Sequence, residues 1–244
     1  MDAPGTPAMP AADEREAIVR GVWDAAARTY DETWGHGLRS ELEARAWAAL
    51  LARLLPPERP VTIADIGCGT GVIALTLAEL GHSVVAVDFS EAMLEVCGEA
   101  AARRGLTNVR LVPGEAEHPP AGVGPVDAVV SRHLLWTLFN PEAAVRAWVG
   151  LVRPGGRVLA FDALWSGPID FHHYPDRLDL LLPLLHVASL DPLRNLWRRA
   201  GLVEVMAEEL RWIDRVERLE MPEDQRRIWE DHAWYLVEGT RPSL

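Results

Sequence analysis

The stretch ADIGCGTG, Ala64 to Gly71, sets Gly67, Gly69 and Gly71 at alternate positions behind Asp65. Glycines let a ligand approach the backbone closely, and the carboxylate decides which ligand gains from it. A pyrophosphate normally rests on G-x-G-x-x-G at a helix N-terminus, whereas the spacing here is G-x-G-x-G. Asp65 would also put a negative charge beside that anion in partly desolvated surroundings, where charges are screened poorly. A cationic, phosphate-free ligand reverses the sign of that interaction. Asp88 stands 21 residues after Gly67, at the end of the next apolar stretch, where a carboxylate can accept hydrogen bonds from ribose hydroxyls. Together these residues ask for a nucleoside that carries a positive group.

The elements around them follow from apolar periodicity. Residues 13–55 read as two helices, with Ile18, Val22, Ala25 and Ala26 at helical spacing in the first. Strands are expected at 61–66, 83–89, 108–114, 126–131 and 157–163, with helices between them. Ser90 and Asn140 read as N-caps, and Pro154-Gly155-Gly156 as a helix stop. Apolar strands alternating with helices give a parallel α/β sheet, doubly wound through right-handed crossovers. Beyond Ala163 an irregular insertion, 164–190, precedes a helix at 191–200 and strands near 202–208 and 233–239. No repeat and no second domain is visible, so 13–244 reads as one unit behind a tail at 1–12.

Bulk properties exclude several functions. The chain has 244 residues, 49% hydrophobic and 25% charged, with a net charge of -12, which argues against a nucleic-acid partner. No apolar run is long enough to span a bilayer, and the N-terminal residues lack the pattern of a signal peptide, so a cytoplasmic protein is expected. All 24 basic residues are arginine, which removes Schiff-base chemistry and a P-loop lysine. Cys68 and Cys97 are too few for a disulfide framework and read as small apolar filler.

S-adenosylmethionine satisfies the demand for a cationic nucleoside. The ordered stretches ADIGCGTG, VVAVDFSEAML, NVRLVPGEAE, PVDAVVSRHLLWTL and LVRPGGRVLAFD strongly resemble the class I S-adenosylmethionine-dependent methyltransferases, over about residues 61–163. The resemblance implies a Rossmann-like sheet of seven strands whose last runs antiparallel. It implies that Asp65 and the loop Gly67, Cys68, Gly69 and Gly71 hold the methionine moiety and that Asp88 holds the ribose. Phe89, Met93, Glu115 and Ala116 would surround the adenine, with Glu115 standing where the family often has Asp. The backbone carbonyl of Ser131 would face the methionine amine. Met93 also fits plain core packing beside Val96.

The acceptor side is less stereotyped. Methyl transfer is an in-line displacement, so much of the catalysis is positioning, and a base is needed only for an acceptor proton of high pKa. His133, just past the fourth strand, is the candidate base; packing of the following helix is its equal alternative. Arg132 reads either as a contact to an acidic acceptor group or as a solvated surface residue. Trp136 could wall the pocket, and Trp148 reads as core. Trp165, His172, His173 and Tyr174 lie in the insertion where relatives build an acceptor lid, and no metal site is expected from the adjacent histidines. Tyr30 and Trp34 match a stretch that folds over the cofactor in the family, where aromatic faces favour a sulfonium. The expected activity is O- or N-methylation of a small molecule, and a lysine-free, arginine-rich composition associates with secondary metabolism. A nicotinamide-dependent oxidoreductase using NAD and a non-catalytic S-adenosylmethionine-binding protein are the rivals. The composition leaves monomer and homodimer open.

Overall fold

The structure, a computed structural model, describes residues 11–165, 174, 175, 178, 181–185, 187–229 and 232–243. The tail expected at 1–12 therefore falls almost wholly outside the described residues, as does most of the insertion expected at 164–190.

Seven strands form one sheet in the order β3-β2-β1-β4-β5-β7-β6. They are β1 (Thr62–Ile66), β2 (Ser83–Asp88), β3 (Val109–Pro113), β4 (Val126–Arg132), β5 (Val152–Trp165), β6 (Val203–Glu209) and β7 (His232–Thr240). β1 to β5 pair in parallel, and β7 runs antiparallel between β5 and β6. β1 lies between β2 and β4, so strand order reverses there and a crevice opens at the carboxyl ends of these strands. Their apolar residues are buried because helices cover both faces.

The helices are α1 (Ala12–Ala26), α2 (Glu41–Leu54), α3 (Val72–Glu79), α4 (Glu91–Arg103), α5 (Pro141–Leu151), α6 (Asp191–Arg199), α7 (Arg211–Glu220) and α8 (Glu223–Ile228). The expected caps form: the side chain of Ser90 accepts from the Met93 amide at 3.1 Å, and that of Asn140 from Ala143 at 3.0 Å. One apolar layer gathers Trp148 and Trp197 beneath α5 and α6, and the opposite layer gathers Trp47, Leu50 and Trp234 beneath α2 and α7. A third, smaller cluster joins Val19 of α1 to Trp136, Tyr174, Leu178, Leu182 and Leu185 over the carboxyl end of the sheet.

Three expectations need correction. The fifth strand starts at Val152 rather than 157, because the Pro154-Gly155-Gly156 turn that stops α5 enters the strand through a register shift. Ala25 is exposed, and α1 packs Val19 and Trp23 inward beside the expected Ile18 and Val22. Helices α7 and α8 were not expected. The buried face of α7 carries Asp214 and Glu217 beside Ile213, which hides its apolar period. Those carboxylates serve β7: Asp214 accepts from the Trp234 amide at 2.9 Å, and both Glu217 oxygens accept from the Trp234 indole at 2.8 and 2.9 Å.

Candidate active site

The crevice at the switch point is a cavity of about 560 Å³, ample for a cofactor-sized molecule. Its floor is largely backbone. The amides of Gly67 and Cys68 both donate to the Val87 carbonyl, at 2.8 and 3.0 Å, which ties the glycine loop to the end of β2. Asp88 then bridges the same two segments, accepting from the Gly69 amide at 2.8 Å and the Ser90 amide at 2.9 Å. Each oxygen keeps a lone pair for a further donor. Burial pushes Asp88 up to about 6, against the opposing hydrogen bonds from Ser90, Gly69 and Phe89.

The three glycines divide by role. All have positive φ, but a Cβ on Gly71 would meet Cys97 Sγ at 2.7 Å, whereas one on Gly69 would enter open space. Gly71 is thus required by packing and the left-handed start of α3, and Gly69 presents bare backbone to the cavity. Gly67 also lines it, under Leu134.

Asp65 lies behind this wall and does not line the cavity. It is 1% exposed, and neither carboxylate oxygen has a hydrogen bond of ordinary geometry, although the Ala74 amide is close enough to oppose the shift. Desolvation raises it to about 7. A buried carboxylate in that state favours positive charge nearby and disfavours an anion, so its influence on the loop is through space. Cys68, Gly71 and Ser131 are likewise behind the lining.

At the far end of the floor, Phe89, Met93, Glu115 and Ala116 come together on the wall. Arg20 of α1 donates to the Phe89 carbonyl at 2.8 Å, lies over the Phe89 ring at 5.3 Å and approaches Glu115 at 3.6 Å. Trp148, core as expected, also donates to the Ala116 carbonyl at 2.8 Å and so fixes that wall. A flat cradle of apolar and acceptor groups, a carboxylate beyond it and an open glycine backbone suit adenine, ribose and an amino-acid tail in turn. The residues present fit S-adenosylmethionine.

The roof is made of side chains. One face of α1 supplies Arg15, Glu16, Val19 and Trp23, none of them singled out from the sequence. Their recurrence at Arg15, Val19 and Trp23, four residues apart, was the available signal. Trp23 donates to the Tyr174 hydroxyl at 3.1 Å and meets the rings of Tyr30 and Trp136 edge-on at 5.9 and 6.4 Å. Phe139, beneath the Arg15 guanidinium, and Leu181 also line the cavity without having been expected. Tyr30 does line it, in the short turn Tyr30–Glu32, and desolvation raises its phenol well above the ordinary value.

His133 and Arg132 line the opposite wall at the end of β4. Arg132 lines the cavity but is not a solvated surface residue. It is 8% exposed, its guanidinium lies over Trp47 and Trp234 at 4.9 and 4.7 Å, and it donates to the carbonyls of Gly35 and His36, each at 2.7 Å. Trp136 packs in the cluster above rather than on the wall, and Tyr174 is buried behind Trp23. Trp34 lies under the Arg39 guanidinium at 4.5 Å, away from the cavity. His172, His173 and the side chain of Trp165 lie outside the described residues.

Comparison with known proteins fits this geometry. Residues 64–160 match the family described as "Methyltransferase domain". Over 101 residues the chain is 35% identical to a ubiquinone biosynthesis O-methyltransferase of Caulobacter vibrioides, which covers 41% of this chain and 40% of that protein. It is 27% identical to the aklanonic acid methyltransferase DauC of a Streptomyces species, over 82% of this chain and 87% of that protein. The chain spans only 40%, 56% and 61% of the lengths of the first curated relatives it matches. A Burkholderia thailandensis 1,6-didemethyltoxoflavin-N1-methyltransferase, solved with bound 1,6-didemethyltoxoflavin and S-adenosylhomocysteine, shares the fold at a TM-score of 0.67 and 20% identity, over 100% of this chain and 94% of that one.

Proposed function

We propose that this chain, a class I S-adenosylmethionine-dependent methyltransferase by its core at 64–160, methylates an oxygen or nitrogen of a small molecule held beneath α1. The observation that carries this reading is one cavity with the glycine loop and Asp88 on its floor and His133 on its wall. Gly67 and Gly69 would take the amino-acid tail of the cofactor, Asp88 its ribose hydroxyls, and Phe89, Met93, Glu115 and Ala116 its base. When bound, the cofactor supplies a methyl group on a sulfonium, an electrophile that needs little further activation.

The protein's own residues do the remaining work. His133 faces the cavity and accepts the proton of an acceptor hydroxyl, raising its nucleophilicity. Trp23 and Tyr30 offer aromatic faces to an apolar acceptor and to nearby positive charge. α1, fastened by Arg20 to Phe89 and by Asp24 to the Ser90 hydroxyl at 2.5 Å, keeps water out of the roof. We read 13–57 and 164–190 as the enclosing parts of one domain around a core at 61–163, and enclosure of this kind suits a small acceptor. The relatives' names, a ubiquinone biosynthesis O-methyltransferase and an aklanonic acid methyltransferase, support an acceptor of that class. No helix among the described residues is long and apolar enough to cross a membrane. The two buried free cysteines suit a reducing compartment, which supports a cytoplasmic location.

The test is direct. The protein is incubated with S-adenosylmethionine and a panel of phenols, hydroxyquinones and amines, and products are read by mass spectrometry. A methylated oxygen or nitrogen product that falls away in His133→Gln supports the assignment. Tight cofactor binding with no product from any acceptor would favour a binding protein instead.

A further inference from the structure

His133 adopts a backbone conformation rare outside glycine, with φ at +58°. Its amide donates to the Phe161 carbonyl at 2.8 Å, which holds the chain in that bend as it leaves β4. Such strain persists only where the surroundings over-determine it. Among the described residues, the rings of Trp234 at 5.3 Å, Trp136 at 6.0 Å and His36 at 5.3 Å between centroids pack around the imidazole.

Two of these belong to the sheet and the turn after it. Trp234 sits in β7 with its indole held by Glu217, and Trp136 lies in the short turn Leu135–Thr137. His36 comes from elsewhere, the strap between α1 and α2. That strap is pinned at two places. Thr70 of the glycine loop donates to Asp31 at 2.6 Å, and Arg132 donates to the carbonyls of Gly35 and His36. The His36 ring stacks on Tyr30 at 4.2 Å and 16° and meets the His133 ring in an edge-to-face arrangement at 64°. Arg132 and His133 are neighbours in sequence. One residue grips the strap, and the next receives the strap's ring.

We propose that His36 is a positioning residue for His133, its flat ring forming the wall that keeps the His133 imidazole aimed into the cavity, with Arg132 setting where that wall stands. The contact works by shape, so an aromatic ring without nitrogen performs it equally well. The significance of the positioning rests on the reading of His133 as the base, but the geometry can be tested apart from that reading.

The experiment is histidine-selective carbon-13 NMR on the full chain, with the His133 signal assigned from His133→Gln. The wild type is expected to show one sharp His133 Cε1–H resonance. In His36→Ala that signal shifts and broadens, and in His36→Phe it returns near its original position. Arg132→Lys behaves like His36→Ala, because an ammonium cannot fork to two carbonyls while lying between two indoles. If His36→Ala does not fold, as judged by a cooperative melt, His36→Leu supplies the same loss of a flat ring. With an acceptor in hand, kcat falls in His36→Ala at unchanged KM and recovers in His36→Phe. An unmoved His133 resonance in folded His36→Ala overturns the proposal, as does a His36→Phe that is as disturbed as the alanine variant. Failure to find any methyl acceptor would leave the NMR outcome standing, so the two readings fail separately.

Discussion

Along the carboxyl ends of β1, β2 and β4 the cavity is bounded by backbone amides, bare glycines and one carboxylate that ties two loops together. Across from them, α1 and the strap at 30–39 bound it with Trp23, Tyr30 and the ring of His36 behind His133. The floor depends on neighbours in a regular ladder: Asp65 pairs with Ala86 and Val130, and Asp88 with Pro113. The roof depends on single side-chain contacts between segments far apart in the chain. Substitutions in the floor should therefore move stability or cofactor affinity, and those in the roof should move acceptor turnover.

The sharpest test of that division lies within the glycine loop. Gly71→Val puts a branched side chain at φ +100° against Cys97 Sγ and should lower stability by about 3 kcal/mol or more in denaturant titration. Gly69→Ala places a methyl in open space at φ +54°, costing only about 1–2 kcal/mol of stability, yet it should strongly weaken S-adenosylhomocysteine binding. Equal effects of the two on melting and on affinity would erase the distinction.

Buried aspartates, Asp88 at the cavity, Asp65 behind it and Asp162 in β5, should also give the protein an acid-leaning stability profile. Asp65 and Asp162 are raised to about 7 and Asp88 to about 6, each chiefly by burial. The folded state binds these protons more tightly than the unfolded chain does. Their contribution is therefore full below the unfolded carboxylate range and is lost as pH rises through about 6 to 7. His232, lowered by burial to about 3, acts in the opposite sense and removes stability as pH falls from its ordinary 6.5 towards that value. Unfolding free energy should peak in mildly acidic buffer and fall by on the order of a few kcal/mol towards pH about 8, melting temperature should follow it, and Asp65→Asn should flatten the profile. A profile that climbs steadily to pH about 8 contradicts this account of burial.

Asp88→Ala should weaken S-adenosylhomocysteine by about 1–3 kcal/mol in calorimetry, the scale of removing hydrogen bonds to a buried group. On the roof, Trp23→Leu should leave that affinity nearly unchanged while reducing acceptor kcat/KM about tenfold, or ~1.4 kcal/mol. If Trp23→Leu instead abolishes cofactor binding, roof and floor are one unit.

The same contrast explains what the sequence made legible. Strands β1, β2 and β4 announce themselves as apolar runs, and their ends fix where Gly67, Asp88 and His133 must lie, so the floor could be placed from residue order alone. Asp65 was placed in the right strand, but its recess behind the wall depends on which way one side chain turns under the loop. Arg132 reads as a surface residue until Trp47 and Trp234 are known to sandwich it. Ile18 and Val22 mark the inner face of the first helix, and Trp23 packs against the same cluster, but the exposed Ala25 blurs where that face ends. His36 carries no periodic signal, since its place is set by stacking on Tyr30 and by Arg132, a contact spanning 96 residues.

The central claim is that a bare glycine backbone and Asp88, with Asp65 buried behind them, form a floor for a cationic, phosphate-free adenosine derivative. Calorimetry of the wild-type protein with S-adenosylmethionine, S-adenosylhomocysteine and NAD tests it most directly. The account predicts saturable binding of the first two, weakened in Asp88→Ala, and no measurable heat with NAD. Tight binding of NAD with neither adenosylated amino acid retained would contradict it.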